Sequence, residues 1–276
     1  MKTPIDTARV LALAGQAGEA IMAIYRRDFQ VEIKDDRSPM TEADLAAHRI
    51  LVEGLTALQP GLPVLSEESA GAVPTAEQRG WQRYWLVDPL DGTREFIKRN
   101  DEFTVNIALV EDGRAVFGLI HAPALGETGW GQLGEAAGAW WQGDGEAQAI
   151  RARQAPAVPT VTISRSHASA ATVAVLDALG EHQTLRAGSA LKFLRLAQGE
   201  ADLYPRLGPT SEWDTAAGQC LLEAAGGELL APDGRPFRYN QRDTLLNGAF
   251  LAVADPQAGW QARLGPTFRA LAGQPS

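Results

Sequence analysis

The sequence predicts a mixed α+β fold for a chain of 276 residues. Three observations predict it. Apolar residues recur at helical spacing near the N-terminus, an antiparallel hairpin pattern follows, and in the C-terminal half short strand runs alternate with helical ones. The hairpin disfavours a purely parallel, doubly wound sheet. A single domain is expected, with an N-terminal half over about 1–155 and a C-terminal half over about 156–276.

Val10, Leu13, Ala17, Ile21 and Ile24 share one face of a helix over residues 10–24. Gln16 and Glu19 break the run, so it reads as an amphipathic helix and not as a secretory core. A second helix starts at Thr41, where Thr41-Glu42-Ala43-Asp44 resembles a capping box, and stops before Pro60-Gly61. Val64-Leu65 then leads into Ser66-Glu67-Glu68, and the strand 84–87 leads into Asp88-Pro89-Leu90-Asp91-Gly92-Thr93. Both acidic clusters thus sit where a strand gives out, the usual seat of catalytic loops. Residues 103–110, the turn Glu111-Asp112-Gly113-Arg114 and residues 115–121 make the hairpin. Residues 154–159, which include Pro156 and Pro159, mark the crossing between halves. Beyond it, 161–164, 169–179, 189–198, 201–204 and 215–225 are the expected strands and helices.

Composition excludes several function classes. A formal charge of −9 is the wrong sign for tracking a nucleic-acid backbone. No apolar run approaches the roughly 20 residues that span a bilayer. Cys220 is the only cysteine, which excludes an internal disulfide framework and every multi-cysteine zinc site and makes a cytoplasmic location the default.

The chemistry concentrates in residues 85–96, where a buried strand ends in two carboxylates, Asp88 and Asp91, joined through Pro89. Gly92 permits a close turn, and Gly92-Thr93 opens a helix whose amides suit an anion. Hard divalent ions such as magnesium take carboxylate oxygens, waters and phosphate oxygens, so several acids are needed for two ions. Glu67, Glu68 and Asp214 are candidates from distant parts of the chain. By residue type alone, Asp88 to Gly92 also reads as a turn, Glu67-Glu68 as a solvated loop, and Asp214 as a helix cap. Asp44 and Thr93 likewise read as ordinary helix-start residues. An EF-hand does not fit, since Pro89-Leu90 and Phe96-Ile97 replace the alternating oxygen ligands of that loop.

Glu67-Glu68, Asp88-Pro89-Leu90-Asp91-Gly92-Thr93 and Trp213-Asp214-Thr215-Ala216-Ala217-Gly218 together resemble the inositol monophosphatase superfamily of magnesium-dependent, lithium-sensitive phosphatases. Leu65 to Glu68, Tyr84 to Asn100, Ile163 to His167 and Leu203 to Arg206 are similar to its bacterial 3'(2'),5'-bisphosphate nucleotidase branch. That similarity runs from about the first helix to Asn247. The resemblance implies a layered α-β-α-β-α sandwich. It implies two or three magnesium ions held by Glu67, Asp88, Asp91, Asp214 and the Leu90 carbonyl, with Glu67 also counted among the catalytic groups. It makes Asp44 and Thr93 the groups that position the attacking water. The implied activity is hydrolysis of the 3'-phosphate of adenosine 3',5'-bisphosphate, with its sulfated homologue as a candidate second substrate. An inositol or other sugar phosphatase on the same fold is the alternative, and a sensor without turnover is disfavoured because every acidic ligand is present. Relatives are sometimes described as peripheral on the cytoplasmic face of the inner membrane. Arg94 departs from the lysine often found there but keeps the charge.

Ser164, Arg165, Ser166 and His167 follow an apolar strand, and Gly188-Ser189 precedes a helix carrying Lys192 and Arg195. These are anion-binding ingredients, although Lys192 and Arg195 alone also fit a solvated helix face. The resemblance implies that Ser164, His167, Gly188, Ser189, Lys192 and Arg206 line the nucleotide site, with Gly92 and Thr93 at the reacting phosphate. His48, His121 and His182 fit no metal spacing and read as structural.

Overall fold

A computed structural model of the chain describes residues 4–33, 39–72, 75–165 and 169–272. Two helices, α1 (Thr7–Tyr25) and α2 (Glu42–Leu58), pack side by side, with an antiparallel pair β1 (Val31–Ile33) and β2 (Pro39–Thr41) between them in the chain. Val10, Ala17, Ile21 and Ile24 are buried, with Leu13 at the margin, so the expected face of α1 is the packed one. Capping at Thr41 starts α2 where the capping box was read.

A seven-stranded sheet follows in chain order: β3 (Val64–Ser66), β4 (Arg83–Asp91), β5 (Thr104–Glu111), β6 (Arg114–Ala122), β7 (Glu127–Gln132), β8 (Gly138–Gln142) and β9 (Gln148–Ala149). Only β3 and β4 are parallel neighbours. They are bridged by a 3-10 turn (Glu67–Ala72) and the short helix α3 (Thr75–Arg79), and α4 (Thr93–Ile97) leaves the end of β4. The β5–β6 hairpin turns at Asp112 (φ 49°) and Gly113 (φ 76°), the two left-handed residues of a tight hairpin loop.

The second half builds a five-stranded sheet from β10 (Thr160–Ile163), β11 (Gln183–Arg186), β12 (Leu203–Arg206), β13 (Glu228–Leu230) and β14 (Phe250–Val253), in the order β11-β10-β12-β14-β13. Its helices are α5 (Ala170–Leu179), α6 (Leu191–Ala197), α7 (Glu212–Ala224) and α8 (Trp260–Ala272). Helices α6 and α7 lie between the two sheets, α1 and α2 cover the outer face of the first, and α5 and α8 cover the outer face of the second. The layers therefore run α-β-α-β-α, as the resemblance implies. The period-2 alternation of a strand is visible in β4: Trp85 and Val87 join the core under α1 and α2, while Tyr84 and Leu86 join the core around α7. Helix α7 meets β6 at backbone distance, because a Cβ on Gly118 would stand 2.2 Å from the Ala217 carbonyl oxygen.

Several boundaries differ from the sequence reading: the strand expected over 201–204 lies at Leu203–Arg206, α1 runs from Thr7 to Tyr25, and three others bear on the site. Strand β4 does not give out at Asp88 but runs on to Asp91 with an irregular register between the two. Its partner β3 ends at Ser66, opposite Val87, so Pro89 lies where no ladder donor is required of it on that side. Helix α6 begins at Leu191 and not at 189, since Ser189 is left-handed at φ 45°. Helix α7 begins at Glu212, three residues before 215, because Ser211 and Asp214 form its start. Among the described residues no helix is long and apolar enough to cross a membrane.

Candidate active site

Asp88 and Asp91 come from the end of β4 and Asp214 from the first turn of α7, and one carboxylate oxygen of each lies within 4.8 Å of the others. In a regular strand residues three apart face opposite sides, and the register shift between Asp88 and Asp91 brings both to one side. Glu67 follows directly on β3, whose Ser66 pairs with Val87, and so stands beside Asp88. Burial pushes the Asp88 carboxyl well above the usual range, and the Glu67, Asp91 and Asp214 charges push it further. Asp91 is raised to about 6 by burial against the pull of Lys192 and an Asn106 hydrogen bond. Asp214 is raised to about 7 by burial and then by Asp91. Lys192 and Arg206 offset this repulsion only in part, since burial still leaves Asp91 and Asp214 raised, and an all-oxygen set without Cys or His suits a hard cation.

Local hydrogen bonds hold the set. Leu90 N–H donates to Asp88 Oδ1 at 3.1 Å. Asn106 Nδ2 donates to Asp91 Oδ2 at 3.3 Å and is itself fixed by the Thr104 hydroxyl at 3.0 Å. Asp44 is buried at the third position of α2, where its Oδ2 accepts the Thr41 N–H and hydroxyl, both at 2.7 Å. Its Oδ1 faces the Thr93 hydroxyl at 3.3 Å, which also lies 3.4 Å from the Leu90 carbonyl oxygen. Burial raises Asp44 to about 6 against the lowering effect of Thr41, with Glu68 and Glu67 adding to the rise. The cap reading holds for one oxygen, and the other oxygen faces Thr93. Gly92 makes the turn into Thr93 at φ 89°, and a Cβ there would stand 2.0 Å from Ser189 Oγ.

Of these acids Asp91 and Asp214 line a cleft of about 420 Å³, together with Gly92, Ser164, Gly188, Ser189, Lys192 and Arg206. His167 and Ser166 lie outside the described residues. Lys192 is buried, its Nζ donating to the Ser189 carbonyl at 2.7 Å and the Ala187 carbonyl at 3.3 Å, over the Tyr204 ring at 5.2 Å. Burial lowers its ammonium to about 8 while Asp91 pulls it up. A solvated helix face is therefore not its setting. Arg195 on the same helix instead forms a two-pronged pair with Glu127 at 2.8 and 2.9 Å. Arg206 Nη1 donates to Ser164 Oγ at 3.3 Å, and its other nitrogens donate to the Gly208 and Pro209 carbonyls. The Ser189 hydroxyl lies 2.8 Å from both the Asp91 and the Glu102 carbonyl oxygens and shares its one proton between them.

Sequence reasoning missed Arg94, Glu95, Lys98 and Thr210 in the cleft wall, and it missed Glu102 behind it. Residues 94–98 could have been found from their place on the helix after Gly92. Glu102 carries no local signal. His48 Nδ1 lies 2.9 Å from Ser66 Oγ, His121 Nδ1 lies 2.9 Å from Thr128 Oγ1, and His182 Nδ1 lies 2.6 Å from the Gly180 carbonyl oxygen, so each has a structural partner.

Residues 1–268 match the model of the inositol monophosphatase family. The 3'(2'),5'-bisphosphate nucleotidase CysQ of Salmonella typhimurium is 48% identical over 88% of this chain and 97% of that protein. The protein of the same name from Haemophilus influenzae is 36% identical over 92% of this chain and 94% of that one. A crystal structure of CysQ from Bacteroides thetaiotaomicron, described as a bacterial member of the inositol monophosphatase family, superposes with a TM-score of 0.78 at 37% identity, covering 91% of this chain and 97% of that chain. The Thermotoga maritima IMPase superposes equally well, at 0.78, but at 22% identity over 96% and 97% of the two chains, a likeness of fold alone.

Proposed function

Since the chain belongs to the inositol monophosphatase family, we propose that it is a magnesium-dependent 3'(2'),5'-bisphosphate nucleotidase, cleaving the 3'-phosphate of adenosine 3',5'-bisphosphate to leave AMP and phosphate. The observation that carries this reading is one cleft lined by unlike charges: the carboxylates Asp91 and Asp214, with Asp88 grouped behind them, and the cations Lys192 and Arg206. A bisphosphate has a second phosphate for these cations, whereas an inositol monophosphate offers them none. The sulfated homologue presents the same 3'-phosphate and is the second substrate of this reading. The reaction belongs in the cytoplasm.

Glu67, Asp88, Asp91, Asp214 and the Leu90 carbonyl would hold two or three magnesium ions. Bound there, such ions lower the pKa of the attacking water and offset charge on the phosphate and the leaving oxygen. The residues around them do the orienting. The Thr93 hydroxyl directs its proton toward Asp44 and the Leu90 carbonyl, which leaves its lone pairs to receive a hydrogen from water. Asp44, whose Oδ1 faces the Thr93 hydroxyl, is the group placed to take up that proton through Thr93. The main-chain turn at Gly92-Thr93 presents amides to the phosphate. In the N-terminal half these groups handle the reacting phosphate, and Ser164, His167, Gly188, Ser189, Lys192 and Arg206 of the C-terminal half grip the remainder.

The test is the identity of the products. With adenosine 3',5'-bisphosphate and magnesium, chromatography is expected to show adenosine 5'-phosphate and one equivalent of phosphate, with loss of turnover on chelation and recovery on readdition. Formation of adenosine 3'-phosphate, or no release, would overturn the assignment.

A further inference from the structure

We propose that Glu102 is a positioning residue that ties the nucleotide side of the cleft to the acidic side and so sets the preference for a substrate with two phosphates; this rests on the nucleotidase reading above. Glu102 lies on the loop between α4 and β5, with its side chain 13% exposed. Its Oε2 accepts the Gly188 N–H at 2.8 Å and Arg165 Nε at 2.5 Å, and its Oε1 accepts Arg165 Nη2. Its carbonyl oxygen and that of Asp91 both lie 2.8 Å from the Ser189 hydroxyl, which shares its one proton between them. Lys192 Nζ in turn donates to the carbonyls of Ser189 and Ala187. One residue of the first half thereby anchors Arg165, Gly188 and Ser189 of the second, and Ser189 in turn touches Asp91.

The anchoring has work to do because Ser189 is held at φ 45°, a conformation that non-glycine residues seldom adopt without tertiary support. Removing the carboxylate frees the Gly188 amide, leaves the Arg165 guanidinium without its countercharge, and loosens the carbonyls that orient Lys192. The reacting phosphate would be held on the acidic side, by Asp88, Asp91, Asp214 and Thr93, which this chain of bonds reaches only at Asp91, through its carbonyl and through the Lys192 charge. Arg165 lines the cleft, with its Nε and Nη2 turned to Glu102. It acts through Glu102 and not by gripping the substrate.

The experiment measures kcat and KM of the magnesium-loaded enzyme on adenosine 3',5'-bisphosphate and on p-nitrophenyl phosphate for Glu102→Ala, Glu102→Gln, Arg165→Ala and the Glu102→Ala/Arg165→Ala double variant, with a melting curve of each. Glu102→Ala is expected to raise KM for the bisphosphate about tenfold, the scale of losing a charge-assisted hydrogen bond. Its kcat/KM on p-nitrophenyl phosphate is expected to stay within twofold. Glu102→Gln, which keeps an acceptor for Gly188 but loses the ion pair, is expected to fall between, and the double variant to match Glu102→Ala. Equal losses on both substrates, or bisphosphate kinetics within twofold of wild type in every variant, would overturn the proposal. So would additive losses in the double variant, which would put Arg165 on the second phosphate itself. If Glu102→Ala does not fold, Glu102→Gln and Arg165→Ala decide by the same split between substrates. A wild-type enzyme with no preference for the bisphosphate would remove the nucleotidase reading and this proposal together, an outcome distinct from failure in the variants alone.

Discussion

Asp88 is buried, and Glu67, Asp91 and Asp214 all raise its carboxyl. An unfolded Asp titrates near about 4, whereas in the folded, cation-free protein Asp91 and Asp44 titrate at about 6 and Asp214 at about 7. The sign follows from linkage. Between pH 4 and 7 the folded state holds more protons than the unfolded one, so these groups cost nothing below about pH 4 and destabilise progressively as pH rises through 7. Thermal melts in chelator are therefore expected to show this contribution falling from pH 5 to pH 8, with magnesium restoring stability most at the upper end. Asp88→Asn keeps an acceptor for Leu90 N–H but removes one charge. It is expected to abolish turnover and to raise the chelator Tm at pH 8 by roughly 2 to 4 °C for each kcal/mol of repulsion relieved. A lower Tm would mean that Asp88 is compensated by the protein itself. At this scale much of the acidic set was legible because Asp88, Asp91 and Gly92 sit close together in sequence. Glu102 was not, since its significance lies in bonds to residues 63 and 86 positions away.

At the N-terminus of α2, one carboxylate serves both the helix and the site. Thr41→Ala would remove the hydroxyl that bonds Asp44 Oδ2 at 2.7 Å and caps the Ala43 amide at 3.2 Å. Loss of such a cap costs about 1 to 2 kcal/mol. Turnover is expected to fall by about tenfold as well, because the Asp44 oxygen facing Thr93 loses its fixed orientation, and Thr41→Ser is expected to recover both properties. Stability loss without an effect on kcat would confine Thr41 to capping. The same logic explains which elements could be read beforehand. Helices α1 and α2 show clean apolar spacing and a cap, and the β5–β6 hairpin has Asp112-Gly113 at its turn. Strands β7 and β8 went unread because glycines at 129, 131 and 138 replace the alternating apolar residues, and the burial comes from α7 pressing on that sheet. Helix α8 carries Pro266 within it, a residue that argues against a helix by local rules alone.

Across the whole molecule, the cleft exists because α7, packed against the first sheet, delivers Asp214 to the end of β4, while α6 delivers Lys192 from the same central layer. Asp88 and Asp214 are 126 positions apart in sequence, counted as 214 − 88, and only the layered packing makes them neighbours. Local pattern placed each acid on an element, and the resemblance related them. Nothing in the sequence distinguished a buried Lys192 from a solvated one, because its burial comes from β12 and from the loop ending at Ser189. Lys192→Ala is expected to lower kcat/KM for adenosine 3',5'-bisphosphate by about tenfold to a hundredfold. The loss on a small monophosphate should be only a few-fold, through the Asp91 carboxyl that Lys192 holds down. Equal losses would place Lys192 with the acidic set. The central claim is that this cleft is built for two phosphates, and the most direct measurement is kcat/KM with saturating magnesium for adenosine 3',5'-bisphosphate, inositol 1-phosphate and fructose 1,6-bisphosphate, read by phosphate release. A preference for the adenosine bisphosphate of at least tenfold over both is the expected result. Equal or better use of inositol 1-phosphate would contradict it.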